Sequence, residues 1–363
     1  MKRSSANATL RGSAVSLFLY DVCEEIKLDA LRSILGARRG ERMKHAAAEQ
    51  IYFERPPVIE HIEAPTFPGA DHLHAQVKFY DYGVVSVVFE FPFAGDWDDL
   101  VALSSGWISE ADFESYARKI AQHQVERARP ALVKPYSDYL GEEYFIFFLR
   151  EVAGNPLATH LLASCGPQIA QIVRGENAPL AESERNEVLQ SAISYYPNDL
   201  IVVGWNAAFV YDSIAGAQTA MQLLEYANTQ LLEFRHYDDL LTRELEGVYD
   251  SLGGRTKLIH RWRLPREASR LLTLLLEVGE LTERADNAIK FLSDMFAARL
   301  YRLAATKVGV QDYKNLVQQK LATAEELYRF LIDQFHQTRN FALELAIVVI
   351  LIIELARSLR GAM

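Results

Sequence analysis

Hydrophobic positions follow two different spacings along this chain. In the N-terminal part, short runs rich in β-branched and aromatic residues predict strands, beginning with a buried one at 14–22. Two such runs at 74–93 flank Asp81-Tyr82-Gly83 and predict a β-hairpin, because Gly83 can supply the positive φ of a tight turn. Further strands are predicted at 141–152 and 198–212.

Helical spacing separates these strands, and it predicts helices over 23–35, 97–106, 109–127, 156–174 and 182–194. The segment between 37 and 50 is basic and predicts a loop. Strands and helices mixed in this way, with a hairpin among them, favour an α+β layer over a doubly wound parallel sheet. We assign this head domain to residues 1–210.

Strand signals end near residue 210, and three long apolar stripes with helical spacing follow. The first starts at Asp212 or Ser213, either of which can cap it, and runs to the Gly253-Gly254 pair. The second covers 271–303, and the third runs from Val310 into the C-terminal tail. Stripes this long predict an elongated antiparallel, coiled-coil-like bundle over 211–363, with Gly309 at a turn. The fold class is therefore α+β with a helical bundle that ends in an apolar helix, 341–357.

The C-terminal helix is the most hydrophobic segment of the chain. Residues 342–356 contain only Glu344 and Glu354 as polar interruptions, and as a helix they would span about 22 Å against about 30 Å of hydrocarbon. We expect this helix either to enter a membrane or to form the buried core of an oligomer. The residues that would do so are Leu343, Ile347, Val348, Ile350, Leu351, Ile352, Ile353 and Leu355.

Charge and cysteine content limit the classes of partner. A formal charge of −10 and a pI near 5.5 disfavour an electrostatic grip of the whole protein on nucleic acid or anionic lipid. Cys23 and Cys165 lie far apart in sequence, which disfavours a disulfide framework and a thiolate zinc site. Basic Arg357 and Arg360 favour the cytoplasmic side of a membrane, so we expect a membrane-associated protein on that face, with a soluble cytoplasmic protein as the alternative.

One basic segment departs from this acidic background, at the join of the first two stripes. It could hold the phosphates of RNA or of lipid head groups, although a solvated linker is the favoured interpretation. Its cations are Arg255, Lys257, Arg261, Arg263, Arg266 and Arg270.

Sequence motifs of common enzymes are missing from the chain, which has no GxGxxG after a strand, no P-loop, no HExxH and no GxSxG. We therefore predict no catalytic residue, no metal site and no cofactor. Glu233 and His236 have the i,i+3 spacing of bundle metal sites, but ion pairs on a polar helix face are favoured. Asp96, Asp98 and Asp99 surround a helix start, and one of them is expected to cap it.

Three strings resemble the required-for-meiotic-nuclear-division family, whose chemistry is unassigned. They are FYDYGVVSVVFEF at 79–91, the helical segment 280–301, and FALELAIVVILIIELA at 341–356. The last is closest to the family's terminal signature, although Leu345 and Ala346 stand where the family commonly has Trp. The resemblance implies homo-oligomerisation and membrane association through the C-terminus, and it carries no catalytic residues.

The function expected from these patterns is that of a non-enzymatic, self-associating scaffold or assembly protein attached to a membrane through its C-terminal helix. Two alternatives stay open. One is a soluble RNA- or phosphate-binding module that uses the basic segment 255–270. The other is an enzyme with an unrecognised site in the α+β head.

Overall fold

The computed structural model describes residues 9–35, 55–63, 73–109, 111–253, 264–287 and 294–361. The described residues form an α+β fold, as the sequence predicts. Its strands are β1 (Leu10–Ile26), β2 (Val58–Ile62), β3 (His74–Phe79), β4 (Val84–Gly95), β5 (Leu132–Val152), β6 (Ala192–Ile193), β7 (Leu200–Val203) and β8 (Ala207–Tyr211). Its helices are α1 (Leu28–Leu35), α2 (Trp97–Ser109), α3 (Phe113–Ala128), α4 (Ala158–Arg174), α5 (Glu182–Leu189), α6 (Ile214–Gly253), α7 (Leu264–Asn287), α8 (Met295–Val308) and α9 (Val310–Gly361).

The described strands lie in one sheet with the order β2-β3-β4-β1-β5-β8-β7-β6. Neighbouring strands are antiparallel except β5 and β8, which pair in parallel. The apolar run at the start of the chain therefore becomes β1, a central strand between β4 and β5. The predicted hairpin is β3 and β4, and Gly83 lies in its turn with φ of 98°.

The chain divides into two compact units. The first comprises residues 1–236 and 285–312, and the second comprises 237–284 and 313–363. The predicted boundary at residue 210 falls just before α6, and this helix contributes to both units. The sheet, with α1 to α5, α8 and the first part of α6, belongs to the first unit.

Both faces of the sheet are buried within the first unit. One face packs large aromatic side chains against α1 to α4, with Phe18 6.0 Å from Phe89 and 6.2 Å from Phe145 between ring centroids. The opposite face carries Leu17, Leu19 and Ile146 among its buried residues. There α6 and α8 pack on the sheet, and they touch each other through the rings of Tyr226 and Tyr301, 5.7 Å apart.

The second unit is built from the later part of α6, from α7 and from α9. Its buried side chains follow helical spacing on each, and ion pairs join the helices. Arg270 of α7 pairs with Glu244 of α6 at 2.5 Å, and Lys320 of α9 pairs with Asp238 of α6 at 2.5 Å. The buried residues are Tyr237, Leu241, Leu245, Val248, Ala268, Leu271, Leu274, Val278, Val317, Ala324 and Leu331.

Some predicted elements differ from the observed ones. Residues 23–26 continue β1 instead of starting a helix, because β5 is long enough to pair with them. The strand predicted at 198–212 is two strands, β7 and β8, that turn at 204–206. The helix predicted at 182–194 ends at Leu189. The stripe at 271–303 is divided between α7 and α8, and Asp294 caps α8 by accepting a hydrogen bond from the Phe296 N–H.

Candidate functional site

The C-terminal part of α9 is exposed around its whole circumference. Leu331 is fully buried, but from Phe341 to Ile353 the large apolar side chains are between 46% and 60% exposed. Among the described residues, α9 is the helix long and apolar enough to cross a membrane. The predicted tail residues Leu343, Ile347, Val348, Ile350, Leu351, Ile352 and Ile353 are all in this exposed group, and Leu355 follows in the same helix. Nothing in the second unit covers the described side chains of this segment.

The basic segment is only partly within the described residues. Arg255, Lys257, Arg261 and Arg263 lie outside them. Arg266 is exposed at the start of α7, and Arg270 forms the ion pair with Glu244. The cations that are described are therefore not gathered around a common anion site.

A band of polar contacts fastens α6 to the sheet in the first unit. Lys78 of β3 forms an ion pair with Glu225 of α6, and their side chains are only 13% and 2% exposed. Next along the helix, Thr229 hydrogen-bonds the Tyr82 hydroxyl of the hairpin turn at 2.9 Å. Arg235 pairs with Glu142 of β5. The ion pairs of Glu225 and Arg235 thus join α6 to the sheet.

His236 contributes both an ion pair and a ring stack to this band. Its Nδ1 atom lies 2.8 Å from Asp21 Oδ2, and its ring stacks on Tyr136 at 4.7 Å between centroids. Asp21 pairs with Leu140, yet Cys23 pairs with Pro135, so β5 bulges between them and brings Tyr136 over the imidazole. A buried carboxylate that orients a half-buried imidazole is an arrangement able to hold or move a proton.

The titration of this cluster is set by burial. Burial raises the pKa of the Asp21 carboxyl, and the hydrogen bond and charge of His236 offset part of that rise. Burial also raises the pKa of the Cys23 thiol to about 12, and the nearby Asp21 carboxylate adds to the rise. The thiol is therefore protonated at neutral pH and is a poor nucleophile.

Asp21→Asn should reduce the pH dependence of stability. The raised pKa means that folded Asp21 holds its proton more tightly than the unfolded chain does. Stability from this group is present at acidic pH and is lost as pH rises through the interval between the ordinary carboxyl pKa and the raised one. We expect the free energy of unfolding of wild type to fall more than that of Asp21→Asn as the pH rises from about 4, the ordinary carboxyl pKa, towards neutral. Urea titrations across that range measure it, with exposed Asp239→Asn as the control that keeps the wild-type slope. Parallel slopes for wild type and Asp21→Asn would contradict the assignment.

The other predicted positions have structural explanations. Asp96 and Asp99 cap α2 reciprocally, since the Asp99 N–H donates to Asp96 Oδ1 at 2.9 Å and the Asp96 N–H donates to Asp99 Oδ2 at 3.1 Å. In the described part of the chain, no three His, Cys, Asp or Glu side chains are placed to hold a metal ion.

Residues 11–218 match the family described as uncharacterized protein MJ0711, N-terminal domain. This chain belongs to that family. The uncharacterized protein MJ0711 of Methanocaldococcus jannaschii is 20% identical over 195 residues, which are 53% of this chain and 58% of that protein. The match thus spans little more than half of that relative's length. No solved structure matches the chain.

The MJ0711 family region ends within the first two turns of α6. It supplies the sheet side of the polar band, namely Asp21, Lys78 and Glu142, whereas Glu225 and His236 lie beyond it. The exposed part of α9 also lies beyond it. The likeness to the required-for-meiotic-nuclear-division family stays a prediction.

Proposed function

We propose that the protein is a non-enzymatic, self-associating scaffold held on the cytoplasmic face of a membrane by the C-terminal part of α9. The observation that carries this proposal is the exposure of Phe341 to Ile353 on every side of the helix. A soluble monomer rarely leaves so much contiguous apolar surface in water. A bilayer covers all sides of a helix at once, which suits this segment better than a groove on one side.

The balance of free energies supports insertion. Burying an apolar side chain fully is worth roughly 1.5–3 kcal/mol, and these side chains are about half exposed, so each gains roughly half of that. Over the exposed segment the gain is on the order of 10 kcal/mol. Glu344 and Glu354 oppose it by about 2.5–3.5 kcal/mol each if they enter the hydrocarbon charged. The apolar gain is the larger quantity.

Helix length constrains how the segment inserts. Residues 341–353 span about 20 Å, which is less than the hydrocarbon thickness of about 30 Å. A helix this short is accommodated by local thinning of the bilayer, by polar side chains that reach the interface, or by oligomerisation. Glu344 and Glu354 lie near the two ends of the segment, so their carboxylates need to extend only a short distance to reach the interface.

Deleting residues 341–363 should move the protein from the membrane fraction to the soluble fraction. The variant keeps every buried side chain of the second unit described above, so its fold is expected to persist. Carbonate-washed membranes, blotted for the protein, give the measurement. Leu316→Ser and Phe330→Ser, at exposed α9 positions before the segment (42% and 49%), are matched controls and should stay with the membrane. Wild type found wholly in the soluble fraction would overturn the proposal.

The described contacts favour neither alternative function. Arg270 is engaged by Glu244, and the cations near it that are described do not converge on a phosphate-sized site. His236 and Asp21 have the chemistry of a proton-transfer pair, yet they lie in the band of contacts that fastens α6 to the sheet. A structural role for that pair is sufficient.

A further inference from the structure

Within the second unit, the apolar side chains along one face of α9 have a regular heptad spacing, and we call this face the seam. Its positions alternate by four and three residues, and they are buried or half-buried along the first part of the helix. These positions are Val317, Leu321, Ala324, Tyr328, Leu331 and Phe335. Side chains at this spacing pack into the holes of a neighbouring helix.

The seam continues without a change of register into the exposed segment. The same spacing leads to Leu345, Val349 and Ile352, which are 54%, 46% and 60% exposed. The seam passes Thr338 and Ala342 between these two groups, so its large apolar side chains are covered as far as Phe335 and are bare from Leu345 onward. The helices of its own chain supply the cover only as far as Phe335 among the described side chains.

The opposite face of the segment is also apolar and exposed. At about 100° per residue, Ile347 and Leu351 lie roughly 160° and 200° around the helix from Leu331. Both side chains are 57% exposed, and both are as apolar as those at the seam positions. Glu344 and Glu354 also lie away from the seam. The two faces can therefore be compared with residues of equal size and exposure.

We infer that α9 of a second copy of this chain packs along Leu345, Val349 and Ile352. The inference rests on the proposed function and names the partner of the same segment. A second α9 carries the same spacing, so the bare extensions of the two copies match in register. Copies that enter a membrane from the same side have parallel tails, and heptads then meet at equal heights.

The residue types at the seam agree with a two-stranded pair. Val349 occupies the a position, and Leu345 occupies a d position, which is the pattern that parallel pairs of helices favour. Ile352, at the next d position, departs from it, as do Thr338 and Ala342 at the preceding d and a positions. Pairing would also bury part of a helix that is too short for the bilayer, in keeping with the expected response to such mismatch.

The test compares two double variants of identical composition. Leu345→Ala/Ile352→Ala removes one Leu and one Ile from the seam, and Ile347→Ala/Leu351→Ala removes the same pair from the opposite face. Hydropathy falls equally, so membrane association should change equally. We expect the seam variant to weaken self-association of the detergent-solubilised full chain by roughly tenfold or more, and the opposite-face variant by less than about threefold. Light scattering across a concentration series measures it.

Cysteine cross-linking gives an independent readout. In a Cys165→Ser background, Val349→Cys should form an intermolecular disulfide on mild oxidation, and Leu351→Cys should not. Cross-linking of equal efficiency at both positions, or equal loss of association in the two double variants, would overturn the inference. Membrane-bound protein that is monomeric would overturn the inference and the self-association in the proposed function, and it would leave the membrane attachment standing. Protein that is wholly soluble and associates through the seam would support the inference and overturn the proposed membrane attachment.

Discussion

Glu225→Gln is expected to lower the free energy of unfolding by about 3–5 kcal/mol, because it leaves the Lys78 ammonium buried without its counter-ion. Burial decides the size of this effect. The side chains of this pair are 13% and 2% exposed, so water cannot replace the lost carboxylate. The pair joins β3 to α6, and its loss should also loosen the helix on the sheet. Urea unfolding of the purified full chain in mild detergent measures the change.

Two further variants test whether the loss comes from the unpaired buried charge. Glu126→Gln removes one partner of the exposed Arg129–Glu126 pair, 66% and 70% exposed, and should change stability by less than about 1 kcal/mol. The double variant Lys78→Met/Glu225→Leu removes both buried charges and should recover most of the loss. A double variant as unstable as Glu225→Gln would mean that packing, and not the uncompensated charge, dominates at this position.

Gly83→Ala is expected to destabilise the protein by roughly 3 kcal/mol or more. Two effects add at this turn. Gly83 has φ of 98°, and a Cβ added there would lie 1.8 Å from the Cys23 carbonyl oxygen. The turn must therefore move away from β1, which disrupts the hydrogen bond from the Val22 N–H to the Gly83 carbonyl at 3.1 Å.

Gly154→Ala is the matched control for the turn variant. Gly154 also has a positive φ, of 83°, but a Cβ built on it meets nothing within 4 Å. The Gly154→Ala variant should lose only the free energy that a positive φ costs an alanine, about 1–2 kcal/mol. The difference in melting temperature between the two variants measures the close approach of the turn to β1. Equal losses would show that the turn relaxes freely.

Local signals were sufficient for much of the fold. The hairpin of β3 and β4, the start of α2 and the end of α4 follow from the spacing of apolar residues and from glycine at the turn. Ser213 caps α6 as predicted, since its Oγ accepts a hydrogen bond from the Gly216 N–H at 3.2 Å. These features depend on residues close together in the sequence. The order of the strands, and the parallel pairing of β5 with β8, depend on contacts that no local pattern encodes.

The buried polar band was beyond the reach of sequence patterns for the same reason. Lys78 and Glu225 are 147 residues apart, and each is an ordinary charged residue within its own segment. A single lysine on the alternating face of an apolar hairpin was the available signal, and it does not identify its partner. His236 lies three residues after Glu233 in the sequence, but its partner Asp21 lies on β1. The exposed apolar helix, by contrast, is visible in the sequence because its composition alone makes it unusual.

The central place of β1 has a consequence for how the protein is made. The ribosome releases β1 before both of its neighbours, β4 and β5, and the far end of β5 is Val152, which pairs with Leu10. At about 5–20 residues per second, a ribosome needs several seconds or more to complete β5 after β1. Until β5 is complete, β1 lacks at least one of its two neighbours, so we expect nascent chains to bind chaperones through residues 14–22.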